Sequence, residues 1–210
     1  MAKKLNITMK LGKEVTAQEV LALKPYSILV ATGSNVISIP LEGLDQVQTV
    51  QAHDVLANDM QFANKKVVVI GGGITGLETA LYINRQGTNQ VSVVDMLPEW
   101  PVDMLDMRYQ NEALLEVRHC NDQGVALFYN NKVVKFADGK LFIESTKDGE
   151  VKELPADVIV LSVGVKPNDA LWQELLASGH PSVWKAGDAI ATGKINKAVL
   201  HGSKFGYSLN

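Results

Sequence analysis

The chain has 210 residues, 46% of them hydrophobic, and a formal net charge of −3. This length suits one large domain or two small ones, and the charge, without a basic stripe, argues against nucleic-acid binding. The apolar runs, about five or six residues long, are far shorter than a membrane span of ~20 residues. Because no apolar segment follows the first residues, no signal peptide is predicted and we expect a cytoplasmic protein.

The first predicted elements are a strand, a helix and a second strand. Alternating apolar and polar residues predict a strand over 6–11. Thr16 and Glu19 match the capping-box pattern and predict the start of a helix. A buried strand is predicted over 26–31, and the stretch 35–48 is a connecting loop that marks the first domain boundary.

The central segment predicts a βαβ unit followed by a further helix. A strand over 66–70 leads through a glycine turn into a helix that ends near Gly87, and a second strand covers 91–94. The next helix is predicted over 108–122.

The remaining pattern is mostly strands, with one helix that Asn168 or Asp169 caps and that reaches Ser178. Dipeptides of the hairpin type, Asp138-Gly139 and Asp148-Gly149, separate some of these strands. The strands are predicted over 125–129, 132–137, 140–146 and 157–163. The order predicts an α/β fold, namely a Rossmann-like three-layer domain with a parallel sheet and an antiparallel hairpin insertion around 132–154.

Gly71, Gly73 and Gly76 fit the G-x-G-x-x-G pattern of a dinucleotide-binding turn, with Ile74 and Thr75 between them. Gly71 permits the tight turn, Gly73 lets a pyrophosphate approach the backbone, and Gly76 lets the helix pack closely on the strand. The helix N-terminus offers N–H groups to the phosphates. The alternative is a glycine-rich turn that binds no ligand.

Two acidic residues follow this turn. Asp95 ends the second strand, about 20 residues on, where a carboxylate accepts hydrogen bonds from the adenosine ribose. No arginine stands beside Asp95 to bind a 2′-phosphate, so NADH is favoured over NADPH; the alternative is a solvated aspartate. Glu78 is either a first-turn acid that complements the helix dipole or a contact near the nicotinamide.

Five segments carry a resemblance to a known family. The chain resembles the pyridine nucleotide–disulfide oxidoreductase superfamily and, within it, the C-terminal FAD/NAD-binding portion of old-yellow-enzyme-like NADH:flavin oxidoreductases. That group includes 2,4-dienoyl-CoA reductase, 2-enoate reductase and NADH oxidase. The segments that carry the resemblance are 27–34, 67–78, 91–99, 157–168 and 183–189.

The resemblance implies a second nucleotide, FAD, and assigns residues to it. Ala31, Thr32 and Gly33 would line its adenosine diphosphate, and Gly187 and Asp188 would contact its ribityl chain, where an ionised acceptor binds a hydroxyl strongly. Two further implied contacts are Ala189 near the flavin ring and Gly164 near the nicotinamide of NADH. The implied domains are a remnant of the FAD-binding domain over 1–48, an NADH-binding domain over 49–167 and a C-terminal FAD-binding remnant over 168–210.

The departures from the family pattern suggest an excised piece. No second G-x-G-x-x-G is present for the FAD pyrophosphate, so the FAD-binding Rossmann-like domain is expected to be incomplete. The barrel that holds FMN and the cysteines of an iron–sulfur cluster would lie in missing N-terminal domains of the same enzyme. Uncovered apolar faces over 26–31 and 183–186 predict self-association.

The sequence therefore predicts the NADH-binding part of a flavin-dependent oxidoreductase. It would pass hydride from NADH to FAD and onward to an FMN site that reduces an enoate or enoyl-CoA. The alternatives are a non-catalytic NAD-binding module, or a ferredoxin-reductase-like, thioredoxin-reductase-like or NADH oxidase member of the superfamily. No catalytic residue is predicted, Cys120 is interpreted as structural, and His53, His180 and His201 show no metal-binding spacing.

Overall fold

The computed structural model describes residues 7–98 and 107–209. The chain forms two compact units, one of residues 36–164 and one of the segments up to Asn35 and from Val165 onward. The predicted domain limits, 48/49 and 167/168, differ from these unit limits because residues 165–167 belong to the smaller unit and residues 36–48 to the larger one. Apolar side chains of residues 36–48 pack on the core of the larger unit, and these are Ile39, Leu41, Leu44 and Val47.

A five-stranded parallel sheet forms the centre of the larger unit. Its strands are β3 (Gln48–Gln51), β4 (Lys66–Ile70), β5 (Gln90–Val94), β6 (Ala126–Phe128) and β10 (Val158–Leu161), and their spatial order is β3-β10-β4-β5-β6. Three helices belong to this unit: α2 (Ala52–Ala57), α3 (Ile74–Asn84) and α4 (Met107–Asp122).

The two faces of this sheet bury different partners because successive side chains of a strand point to opposite sides. Val67 and Val69 pack with helix residues such as Leu77. Val68 and Ile70 pack instead with side chains of an antiparallel sheet, which are Phe136, Leu141 and Ile143. All the β4 residues from Val67 to Ile70 are buried, as expected of a parallel strand covered on both faces.

The antiparallel sheet consists of β7 (Asn131–Ala137), β8 (Lys140–Ser145) and β9 (Val151–Pro155). Asp138 and Gly139 both have positive φ at the β7–β8 turn, in agreement with the hairpin dipeptide found there. Helices, parallel sheet and antiparallel sheet make three layers. The predicted Rossmann-like α/β class is confirmed.

The smaller unit has a short core around two parallel strands, β1 (Ile28–Val30) and β12 (Val183–Lys185). Its helices are α1 (Ala17–Ala22), α5 (Ala170–Ala177) and α6 (Ile195–Ser208), and a second strand pair is formed by β2 (Ser34–Val36) and β11 (Val165–Pro167). The buried residues of the core are Ala17, Ile28, Val30 and Leu175. None of the described helices is long and apolar enough to cross a membrane.

Some local predictions were right and others wrong. The capping box is present, since the Thr16 hydroxyl accepts the Glu19 N–H and the Glu19 carboxylate accepts the Thr16 N–H. The strand over 6–11 was wrong: residues 7–11 form no strand, and Leu11 is 81% exposed. Asp169 is the N-cap residue of α5, as predicted, but its side chain makes no cap hydrogen bond; it accepts a hydrogen bond from Lys185 Nζ at 2.8 Å instead. Asn6 and Glu99, which belong to two of the predicted segments, lie outside the described residues.

Candidate functional site

The turn between β4 and α3 needs glycine at two places. Gly71 has φ +110°, and a Cβ there would lie 2.3 Å from the Ser162 carbonyl oxygen. A Cβ on Gly76 would lie 2.0 Å from the Gly71 carbonyl oxygen. Both distances are impossible for a real side chain, so these two glycines let the turn pass close to β10 and the helix pack close to the turn.

Gly73 plays a different part because the space beside it is open. It is the N-cap residue of α3 with φ −71°, it makes no side-chain cap hydrogen bond, and a Cβ there would meet no atom within 4 Å. Ile74 and Thr75 begin the helix, and the first N–H groups of a helix have no intrahelical acceptor. The turn therefore presents backbone donors and a positive helix end to open space, which fits a pyrophosphate.

Asp95 is bonded to the turn itself. One carboxylate oxygen, Oδ2, accepts the Gly72 N–H at 2.6 Å, and Oδ1 accepts the Leu97 N–H at 2.8 Å. The Asp95 main chain also pairs with the neighbouring segment, since its N–H donates to Phe128 and its carbonyl accepts the Asn131 N–H. A carboxylate has room for about four hydrogen bonds, so two ribose hydroxyls still fit.

A cavity of about 460 Å³ joins three of the predicted NADH residues, Gly71, Asp95 and Gly164. It lies at the carboxyl ends of β4, β5 and β10, which is where ligands bind in open α/β sheets. Its apolar lining includes Ile39, Met96, Leu97, Val133 and Val163.

Glu78 is not part of this cavity. It lines a separate groove of the larger unit together with Arg85, Glu116 and His119. The interpretation of Glu78 as a first-turn acid is wrong, because α3 begins at Ile74 and its first turn holds no acidic residue. Gly73, Ile74, Thr75 and Gly76 lie in the turn and first helical residues and are not among the lining residues of the cavity either.

Lys132 is a site residue that the sequence analysis missed. It lines the same cavity as Asp95, and its Nζ lies 2.8 Å from Glu144 Oε1 on the neighbouring strand β8. No cationic residue is adjacent to Asp95 in sequence, and Lys132 belongs to a later strand, β7. Lys132 reaches the cavity because the Asn131 N–H bonds to the Asp95 carbonyl, at 2.9 Å, and brings the start of β7 beside the end of β5.

The smaller unit holds the predicted flavin residues around a second cavity, of about 470 Å³, lined by Ala31, Gly33, Gly187 and Asp188 among others. Asp188 is held by two donors: Oδ1 accepts the Gly193 N–H at 3.1 Å, and Oδ2 accepts the Ser34 hydroxyl at 3.4 Å. An oriented carboxylate that lines an open cavity is an acceptor that fits the hydroxyl groups of a ribityl chain.

Thr32 and Ala189 support this cavity without lining it. The Thr32 hydroxyl donates to the Asn168 carbonyl oxygen, and the Asn168 N–H donates to the Gly33 carbonyl at 3.0 Å. Ala189 is fully buried.

The thiol of Cys120 is buried in the core of the larger unit. The pKa of Cys120 is raised to about 11, mainly by burial and secondly by the nearby Glu116 carboxylate, while Arg85 acts in the opposite direction. A thiol of this kind is a poor nucleophile. Among the side chains of residues 7–98 and 113–209, no group of three or more His, Cys, Asp or Glu could hold a metal ion.

Comparison with known proteins agrees with this geometry. The chain is 33% identical to the bilirubin reductase of Mediterraneibacter gnavus over 79% of its own length and 25% of the relative's. It is 30% identical to the NADH oxidase of Thermoanaerobacter brockii, over 97% of the chain and 31% of the relative. A solved 2-naphthoyl-CoA reductase superposes with a TM-score of 0.80 and 26% identity, over 98% of the chain and 30% of that protein.

The chain thus spans between a quarter and a third of the length of these proteins. Residues 2–202 match the family described as pyridine nucleotide-disulphide oxidoreductase. The resemblance found in the sequence is confirmed, and the chain belongs to the pyridine nucleotide-disulphide oxidoreductase family.

Proposed function

We propose that this chain is the NADH-binding part of a flavin-dependent oxidoreductase. It passes hydride from NADH to FAD, and in the full-length enzyme the electrons continue to an FMN site that reduces an enoate or enoyl-CoA. The single observation that carries the proposal is the hydrogen bond between Asp95 and the glycine turn: Asp95 Oδ2 accepts the Gly72 N–H at 2.6 Å.

The binding step follows from the residues of the larger unit. The pyrophosphate binds over Gly73 at the start of α3, and the adenosine ribose donates to Asp95. The apolar lining of the adjoining cavity, with Met96 and Leu97, suits the face of the adenine ring. Gly164, which lines the same cavity, allows the nicotinamide part to pass close to the backbone. A 2′-phosphate would meet the charge of Asp95, which favours NADH.

The flavin part of the proposal rests on the Asp188 cavity. When bound, FAD supplies the hydride-accepting chemistry, and the chain supplies binding and orientation. Asp188 accepts from a ribityl hydroxyl while Gly193 and Ser34 hold its carboxylate. Residues 31–33 border the adenosine diphosphate. We place FMN and an iron–sulfur cluster in N-terminal domains of the full-length enzyme, in keeping with the much longer relatives.

A second candidate function is a nucleotide-binding module that turns nothing over by itself. The exposure of α6 favours it: this helix borders the flavin cavity, none of its described residues is buried, and Ile195 is 82% exposed. A flavin bound only by this unit would be held on few sides.

Ligand binding separates the two functions. NADH and NADPH are titrated separately into the purified chain by nicotinamide fluorescence, and the protein is tested for flavin absorbance and for rebinding of added FAD. The proposal expects tighter binding of NADH than of NADPH, and reduction of bound FAD by NADH. Binding of NADH without any FAD binding would support the module, and absence of NADH binding would refute both.

A further inference from the structure

His201 contacts the backbone of the turn Gly187–Ala189, which borders the proposed flavin cavity. The Gly187 N–H donates a hydrogen bond to His201 Nδ1 with an N···N distance of 3.2 Å. Gly187 has φ +61° and directly precedes Asp188, so the hydrogen bond joins helix α6 to the residue that sets the direction of the Asp188 backbone. His201 is half-buried, unlike the exposed Gly202 and Lys204 that follow it on the helix.

The direction of this hydrogen bond defines the state of the imidazole. A backbone N–H can only donate, so Nδ1 of His201 is an acceptor and carries no proton, and in the neutral ring the proton is on Nε2. The charged groups on the contacting turn and on the same helix are Asp188, Lys197 and Lys204. A doubly protonated ring has no free acceptor and could not make this bond.

Helix α6 has two more contacts that keep His201 in register with the turn. A Cβ on Gly187 would lie 3.5 Å from the Ala198 Cβ, so this turn of α6 packs directly over the glycine. The rings of Phe205 and Trp184 meet edge to face with centroids 6.0 Å apart, which ties the helix to strand β12. The three contacts are spaced along one helix face at about one turn each.

We propose that His201 is a positioning residue of the flavin site. Its Nδ1 fixes the N-terminal side of the 187–193 loop, while the Gly193 N–H fixes the other side by donating to Asp188 Oδ1 at 3.1 Å. Between these two anchors lies Asp188, which lines the cavity. The inference rests on the proposed FAD function for its consequence, and its hydrogen bond can be tested without FAD.

The test compares His201→Ala with His201→Asn in the 210-residue chain. Asparagine carries an amide oxygen near the place of Nδ1 and can accept the Gly187 N–H, whereas alanine cannot. The matched control is Lys204→Ala, an exposed position on the same helix.

Nitrogen NMR of the imidazole is expected to show an unprotonated Nδ1 and a protonated Nε2 for His201 in the unmodified chain. Hydrogen exchange of the Gly187 amide is expected to accelerate about five- to tenfold in the alanine variant and to stay near the original rate in the asparagine variant.

The second measurement is the affinity for FAD, which is determined by flavin fluorescence. The affinity for NADH is the check on folding. His201→Ala is expected to weaken FAD binding about five- to tenfold, with His201→Asn and Lys204→Ala within about twofold of the unmodified chain. The inference is overturned if Gly187 exchange is the same in all variants, or if it changes and FAD affinity does not follow. If the unmodified chain binds no FAD, the flavin assignment fails, while the exchange and nitrogen data still decide whether His201 holds the turn.

Discussion

The Asp95 carboxylate and the Gly72 N–H form one hydrogen bond of 2.6 Å. A Cβ on Gly72 would lie 3.2 Å from the Asp95 Cβ and 3.0 Å from a ring carbon of Tyr129, so the end of β5 closes directly on the turn. The proposed phosphate-binding turn and the proposed ribose-binding acid are therefore hydrogen-bonded to each other in the chain without nucleotide. Substitution of Asp95 should change both the stability of the turn and the choice of coenzyme.

We expect Asp95→Ala to weaken NADH binding about 10- to 100-fold, as the loss of hydrogen bonds to a charged group predicts. The free energy of unfolding should fall by about 1–2 kcal/mol because the Gly72 N–H loses its acceptor. Asp95→Asn keeps one acceptor oxygen without the charge, so it should retain more stability and narrow the preference for NADH. Fluorescence titration and urea unfolding measure the two effects. Tighter binding of NADPH than of NADH by the unmodified chain would refute the ribose argument.

Alanine substitutions at Gly73 and Gly76 should separate an effect on NADH affinity from an effect on the free energy of unfolding. Gly76→Ala places a Cβ 2.0 Å from the Gly71 oxygen and is expected to lower the free energy of unfolding by about 1–3 kcal/mol. Gly73→Ala meets open space at an ordinary φ of −71°, so stability should change by less than about 0.5 kcal/mol. NADH affinity should nevertheless fall about tenfold or more, because the methyl group occupies the approach of the pyrophosphate. Equal affinity of Gly73→Ala and the unmodified chain would exclude the proposed phosphate position.

The features that were predicted correctly from the sequence are those that depend on residues close to one another along the chain. The glycine turn, its flanking strands and the position of Asp95 all lie within one βαβ unit, whose register follows from buried runs such as 67–70. Lys132 could not be predicted, because it reaches the cavity only through pairing between separate segments. Asp169 is the N-cap residue of α5, as predicted, but for a similar reason its side chain does not cap the helix: the Lys185 ammonium, from a strand distant in sequence, binds that carboxylate and lowers its pKa.

Cys120 should make the stability of the chain fall in alkaline solution. Burial raises the pKa of its thiol from 9.0 to about 11, so between these values the unfolded chain loses a proton that the folded chain keeps. Unfolding is then favoured as pH rises, by up to about 2–3 kcal/mol at 1.36 kcal/mol per pH unit. Urea unfolding at pH 8 and pH 10.5 measures this slope, and Cys120→Ala should remove that share of it. Rapid modification of the folded chain by a thiol reagent at pH 8 would contradict the assignment.

Self-association of the isolated chain is a further expectation. The smaller unit exposes apolar side chains, with Tyr26 exposed by 87%, Trp184 by 46% and Val199 by 65%, and exposed apolar surface favours association. Light scattering across a range of concentrations should show a mass above 22.8 kDa that falls on dilution. Val199→Lys should shift the mass toward the monomer. A constant monomer mass at high concentration would mean that these side chains do not form a contact surface.

The ion pair between Lys132 and Glu144 should help to set the choice between NADH and NADPH. Lys132 is the lysine that lines the Asp95 cavity, and Glu144 neutralises it at 2.8 Å. Glu144→Gln leaves the ammonium free to attract a 2′-phosphate, so NADPH affinity should rise about three- to tenfold while NADH affinity stays within about twofold. The increase is modest because both side chains are partly exposed and screened by water.

The matched control is Glu153→Gln, which breaks the Lys140–Glu153 pair of 2.5 Å on the same antiparallel sheet, at a place that does not line the cavity. Adding Lys132→Gln to Glu144→Gln should abolish the gain, since the cation itself is then absent. An equal gain in Glu153→Gln would assign the effect to the net charge of the sheet and not to Lys132.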